Sequence, residues 1–298
     1  MLNGNLEKIA MIPAQCLAPV RHNVDQLRKG EFGSDLIETV VRHFYDFDFS
    51  GVPFPVRSIV VTLLPKKIVK VGYQWNGKMG LCYTDGWSED TLTRDAAEVS
   101  VRERIEQAGY RVVRFDALPQ KQLAVRSGLA EYGRNNIAYA EGMGSFIQIM
   151  TFLTDMPCEE APPMEMRTMA ACENCGACAR YCPTGAIDKD RYLIRAERCL
   201  TYFNEFIEPA PFPEWIPKTA HHSLHGCMIC QLNCPENRPY LDRAVQPVSF
   251  DEEEVSALLK GRAMDDLPPR LMDKVRKLEL EDYLSLIPRN LMAVIQAQ

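Results

Sequence analysis

The sequence predicts an α+β protein that runs into a cysteine-rich module and ends in short helices. Three observations predict this. Up to about residue 157, apolar runs at strand spacing alternate with runs at helix spacing. Between Cys172 and Cys234 the chain holds eight of its eleven cysteines. Beyond residue 245 only helical patterns remain. Three segments are therefore expected, 1–157, 158–245 and 246–298, with Pro157, Pro162 and Pro163 in the linker between the first two.

The first 50 residues say little. Arg21, His22 and Arg28 read as exposed helix charges or as contacts for a phosphate or nucleotide tail. Ser34 is placed to cap a helix over Asp35 to Phe44. Arg57 to Leu64 reads as a buried strand stopped by Pro65. Ile68 to Tyr73 and Met79 to Tyr83 read as two more strands around a loose Asn76-Gly77 turn. Lys66, Lys67 and Lys70 fit a solvated strand edge. Asp90 to Ala108 is a long helix ended by Gly109, and Arg111 to Phe115 a short strand. Pro119 to Ser127 is helical, with Pro119 in its first turn. Asn136 to Ala140 and Ser145 to Leu153 flank Glu141-Gly-Met-Gly144 as a hairpin. Past the cysteines, helices are expected from Asp251-Glu-Glu-Glu254, over Pro269 to Leu284, and over Asn290 to Gln298.

The chain is 46% hydrophobic and 25% charged, the profile of a globular protein with a real core. Its net charge is -6, which gives no general attraction to nucleic acid. Met1 to Pro13 has no secretory pattern, and the apolar run Ser58 to Leu64 is too short to span a membrane. The expected address is the cytoplasm, with no membrane contact. There, cysteines argue for metal rather than disulfides.

The first cysteine motif is Cys172-x2-Cys175-x2-Cys178-x3-Cys182-Pro183, the bacterial ferredoxin run. Three close cysteines wrap one 4Fe-4S cluster, and the fourth points to another. Gly176 and Gly185 let backbone approach sulfur. The second motif is Cys227-x2-Cys230-x3-Cys234-Pro235, with Leu224 where a first cysteine would stand. Cys199 is the spare. One cluster is thus assigned to Cys172, Cys175, Cys178 and Cys234, and the other to Cys182, Cys199, Cys227 and Cys230. Zinc is the competing ligand reading for Cys-x2-Cys pairs, but the third cysteine at x2 and the fourth at x3 before proline favour clusters. Cys16, Cys82 and Cys158 read as small apolar residues. His221, His222 and His225 read as a surface loop, or as donors to a cluster or substrate. Asp116, between a strand end and a helix start, fits a helix cap or a catalytic acid.

The chain resembles the epoxyqueuosine reductase family, iron–sulfur and cobalamin enzymes of tRNA modification, and more distantly the reductive dehalogenases. The resemblance runs through Asp116-Ala-Leu-Pro119, Leu123-Ala-x-x-x-Gly-Leu129, Gly133-Arg-Asn135, Gly144-Ser-Phe146 and Thr154-Asp155. It continues in Cys182-Pro-Thr-Gly-Ala-Ile187, Arg198-Cys-Leu-Thr-Tyr202, Gly226-Cys-x-x-Cys-Gln-x-x-Cys-Pro-x-Asn-Arg238 and Pro288-Arg-Asn290. It implies a nitroreductase-like N-terminal domain holding cobalamin, fed one electron at a time by a bacterial ferredoxin-like two-cluster domain. It implies Asp116 as the proton donor, its pKa raised by burial, and Gly144, Ser145, Thr201 and Tyr202 as cofactor contacts. The low potentials this chemistry needs point to a ferredoxin or flavodoxin as electron donor.

Three departures matter. The family's Gly-Trp-Ile-Gly-Lys-Asn becomes Ala130-Glu131-Tyr132-Gly133-Arg134-Asn135, which makes Glu131 or Tyr132 an alternative proton donor, or the two of them an exposed helix end. The chain ends at Gln298, where full-length members continue into a helical repeat domain that helps hold tRNA. Its charge is acidic. The last two points weigh against tRNA and leave an unknown small molecule as a substrate. The competing readings are a two-cluster electron carrier without cobalamin and a reductive activator of another corrinoid protein.

Overall fold

The computed structural model describes residues 8–29, 35–205 and 210–298. Ser34 lies outside them. Nine strands are described: β1 (Lys8–Pro13), β2 (Ser58–Pro65), β3 (Ile68–Trp75), β4 (Lys78–Thr84), β5 (Val112–Arg114), β6 (Glu131–Tyr132), β7 (Ala138–Tyr139), β8 (Ile147–Thr154) and β9 (Ala244–Phe250). The chain divides into two compact units. The first joins Leu92–Asn174 to the residues up to Lys66, and the second joins Lys67–Thr91 to Cys175–Gln298.

In the first unit, four antiparallel strands lie in the order β1-β2-β8-β5. Seven of the eight residues of β2 are buried, so this strand is covered on both faces. Ala97, Val101 and Ile105 of the helix Ser88–Gln107 recur at helical spacing and pack on Val60, Leu64, Met150 and Phe152. Gly109, at φ 85°, closes that helix by donating to Glu106, while Tyr110 donates to Ile105. The hairpin expected around Glu141-Gly-Met-Gly144 is reduced to a tight turn with one bridge, Ala140 to Gly144. β7 pairs instead with β6, and β8 pairs with β2 and β5.

In the second unit, β3 is the middle strand of β4-β3-β9. Lys70 is therefore on a central strand and not on an edge. The Asn76-Gly77 turn is tight: Trp75 pairs with Lys78, and both turn residues have positive φ, 50° and 71°. β9 joins β3 in parallel, Ile68 opposite Ala244 and Tyr73 opposite Phe250. This pairing is why the hairpin expected in segment 1–157 groups with C-terminal residues, and why the segment from 246 on is not wholly helical. Val71, Cys82, Val248 and Phe250 share a core with Leu258, Leu271, Val275 and Leu291 from the C-terminal helices. The helix expected over Pro269 to Leu284 stops at Lys277, where Glu279 turns at φ 51°. Asp251 and Glu254 form a capping box that starts the helix Glu252–Leu259. Among the described residues no helix is long and apolar enough to cross a membrane.

Candidate functional site

The loop before Cys227 is stitched to β4. Tyr83 donates to His222 O, Leu224 donates to Tyr83 O, and Ser223 Oγ donates to the same carbonyl at 2.9 Å. Leu224, which stands where the second motif lacks its first cysteine, is 0% exposed and belongs to the apolar core. Two buried asparagines fix the rest. Asn204 donates to Gly226 O at 2.7 Å, and Asn290 donates to Leu224 O at 2.8 Å and to Asn204 O at 3.1 Å. Gly226 turns at φ 72°, and a Cβ there would meet Asp85 at 3.3 Å.

This framework gathers thiols. Cys199, Cys230 and Cys182 all lie within electrostatic reach of Cys227, whose thiol burial and these neighbours push well up. Cys199 is pushed up for the same reasons, first burial and then Cys182 and Glu205. Four thiols gathered in this way cannot all ionise side by side without a cation between them, and the iron–sulfur core is such a cation. Hydrogen-bond donors point at these sulfurs. Thr201 donates to Cys199 from both its backbone N–H and its hydroxyl, and the Ile229 N–H donates to Cys227. The Thr184 hydroxyl lies 3.5 Å from Cys182 Sγ. These contacts fit a 4Fe-4S cluster, whose potential such donors tune. Among the described residues no three His, Cys, Asp or Glu side chains close on one point as the ligands of a single ion do.

The Cys-x-Thr pattern, 182/184 and 199/201, was in the sequence without being read for this role. Thr201, expected to touch cobalamin, is turned to Cys199 sulfur. Tyr202 next to it stacks edge-on to Phe203 at 5.3 Å. The histidines are not a surface loop. His221 and His225 are buried, burial pushes the His221 and His222 pKa values down, and His225 faces Glu205 at 3.5 Å.

Of the other motif, Cys175, Cys178 and Cys234 lie in the second unit and Cys172 in the first. Cys172 ends the turn Ala170–Cys172, and the buried Arg134 donates to its carbonyl at 2.8 Å. That is a role for the Gly133-Arg-Asn135 motif that spacing did not suggest. Gly176, at φ 62°, opens the short helix Ala177–Tyr181.

In the first unit Asp116 follows β5. Its Oδ1 accepts from Gln120 Nε2 at 2.9 Å and from the Thr151 N–H at 3.3 Å, and its Oδ2 accepts from Arg114 Nε at 2.5 Å. The side chain is 37% exposed, so the burial expected of it is not there. Nor is it a helix cap, because Pro119 holds that position for Gln120–Arg126 without a side-chain bond. Tyr132 is buried on β6, where its backbone bonds Arg167 and Met169. It is not an exposed helix end. Burial pushes its phenol up, so it is protonated at neutral pH. Glu131 pairs with Arg167 at 2.7 Å. Gly144 turns at φ 62°, and Ser145 beside it is buried. Arg28 is held by Glu38 at 2.7 Å, leaving a balanced surface around the helix Leu17–Lys29 rather than a phosphate clamp. Cys82 is fully buried in the core, and Cys158 lies near Cys16.

Residues 171–237 match the 4Fe-4S double cluster binding domain. The epoxyqueuosine reductase of Escherichia coli (strain K12) is 34% identical over 195 residues, 61% of this chain and 48% of that protein. That of Aliivibrio fischeri is 33% identical over 141 residues, 46% of this chain and 36% of that protein. The chain thus spans about half the length of the curated relatives it matches, or less. The solved epoxyqueuosine reductase of Bacillus subtilis, described with an aspartate catalytic loop swung out of the active site, matches with a TM-score of 0.64 at 17% identity, over 97% of this chain and 77% of that one. An epoxyqueuosine reductase solved with a tRNA-Tyr epoxyqueuosine-modified stem loop matches with a TM-score of 0.65 at 18% identity, over 97% and 76%. The chain carries a double 4Fe-4S cluster domain, resembles the epoxyqueuosine reductases in sequence and has their fold.

Proposed function

We propose that this protein is an iron–sulfur oxidoreductase that reduces an epoxide-bearing tRNA nucleoside, with two 4Fe-4S clusters passing electrons to a bound cobalamin in a nitroreductase-like first unit. The observation that carries this reading is the gathering of Cys182, Cys199 and Cys230 about Cys227 inside the segment that matches a double-cluster domain. The ligand sets are Cys172, Cys175, Cys178 and Cys234 for one cluster and Cys182, Cys199, Cys227 and Cys230 for the other. Reduction of an epoxide to an alkene takes two electrons and two protons and releases the oxygen as water. Two one-electron clusters store that pair, and all-thiolate ligation permits low potentials. Cobalamin, when bound, supplies a reduced cobalt centre for the carbon–oxygen cleavage.

Asp116 is the proposed proton donor to the departing oxygen. Its pairing with Arg114 is the parked arrangement of the carboxyl, in keeping with a relative whose aspartate loop swings. The acidic net charge weighs against RNA only in general, since RNA reads local surface. The solved relative bound to a tRNA stem loop supports a tRNA substrate over a small molecule.

Anaerobic reconstitution with iron, sulfide and cob(II)alamin tests the reading. About eight irons and one cobalt per chain, with an altered cob(II)alamin EPR signal, are expected. Eight irons without cobalt would leave a two-cluster electron carrier. The threonines give a finer test. Thr201→Val removes a hydroxyl that favours negative charge on Cys199 sulfur. It is expected to lower the potential of that cluster by roughly 20–60 mV, the one-electron equivalent of a hydrogen bond's ~0.5–1.5 kcal/mol, with iron content unchanged. A redox titration followed by EPR reads the shift.

A further inference from the structure

The net charge of -6 conceals a basic cleft. It lies wholly within the second unit, holds about 540 Å³, and is lined by Arg180, Lys189, Arg195 and Arg198 against the single carboxylate of Asp188. All four cations are exposed, and Asp188 lies 3.7 Å from Arg195. Two more lining residues are Gly176 and Gly185, both in the cysteine loops and both at positive φ, 62° and 63°. With no side chain at either turn, the backbone beside the cluster ligands comes to the floor of the cleft.

Two of the cations are fixed to those loops. Arg180 Nη1 donates to Cys175 O at 2.8 Å and would lie 3.4 Å from a Cβ at Gly176. Arg198 Nε donates to Thr184 O at 2.8 Å, and its Nη2 would lie 3.9 Å from a Cβ at Gly185. Arg198 also stacks on Trp215 at 4.8 Å, and that indole is 45% exposed. An arginine held rigid on a half-exposed tryptophan is the kind of pair that anchors interfaces.

On the reading that the cysteines hold clusters, we propose that this cleft is the docking face for a small acidic electron-carrier protein, which delivers electrons through the Gly176 and Gly185 turns. Charge complementarity selects an acidic partner in a chain whose surface otherwise repels one. Position selects an electron carrier over a polynucleotide. Arg180 and Arg198 are tied to the carbonyls of Cys175 and Thr184, so whatever binds in the cleft lies against the cluster loops. An electron must enter there, and a nucleoside need not.

The test uses the reconstituted protein and a Lys189→Glu, Arg195→Glu double variant, which leaves the Arg180 and Arg198 anchors in place. Stopped-flow reduction is followed by the loss of cluster absorbance, with flavodoxin hydroquinone as one donor and the methyl viologen radical cation as the other. The variant is expected to react with flavodoxin at least about tenfold more slowly at low salt, with a flattened salt dependence, while viologen reduction is not slowed. Equal flavodoxin rates with normal viologen reduction would overturn the proposal alone. So would equal rates with weaker binding of a tRNA stem loop by fluorescence anisotropy, which would make the cleft an RNA face. Failure of the protein to take up about eight irons on reconstitution would overturn the two-cluster reading and the docking face with it.

Discussion

Replacing Cys199 with alanine is expected to cut bound iron from about eight to about four per chain and to abolish turnover. Cys199 lies outside both cysteine motifs, so this variant separates the proposed ligand set from any set drawn on spacing alone. The residue follows the turn Ala196–Arg198, with two donors from Thr201 on its sulfur and the Cys182 and Cys227 thiols beside it. Without it, one corner of the second cluster has no thiolate. Turnover stops because the second electron has nowhere to wait. Cys16→Ala is the control and is expected to keep all the iron, since that thiol lies near Cys158, which is outside both motifs. An iron assay with EPR of the reduced protein decides the matter. Full iron in Cys199→Ala would move the fourth ligand elsewhere.

Asp116→Asn is expected to lower turnover by about 10²- to 10⁴-fold, the usual worth of a general acid, with iron and cobalt content unchanged. Asparagine can still accept from Gln120 and Thr151 through Oδ1, so the loop after β5 keeps those bonds. What it cannot do is hold and release the proton. The competing donor is Tyr132, whose phenol is raised by burial and so carries its proton across the working pH range. The two ideas part on a pair of measurements. If Asp116→Asn turns over normally and Tyr132→Phe does not, the acid is the tyrosine.

The double-cluster domain was legible because cluster ligands lie close together in sequence and their spacing reflects the shape of what they hold. Cys199 is assigned by count, since seven cysteines in motifs leave one ligand short, and the iron content of Cys199→Ala is what tests it. What surrounds the sulfurs was not. The Thr184 and Thr201 hydroxyls and the Ile229 N–H need the folded loops to reach their targets. β9 was missed for two reasons: Pro247 interrupts its pattern, and its partner is β3, far away in sequence. The exposure of Asp116 was equally hidden, because an aspartate at a strand end reads the same whether its pocket is dry or wet.

The parallel pairing of β3 with β9 has a consequence for how the protein is made. The hairpin leaves the ribosome first, with Val69 and Val71 bare, and its partner emerges only after Ala244 is translated. At elongation speeds of roughly 5–20 residues per second that delay is on the order of ten to thirty seconds. An apolar ribbon left open that long is a natural client for holdase chaperones. It also means that the loop before Cys227 is not framed until Asn290 has been translated, so iron delivery follows that point in the life of the nascent chain.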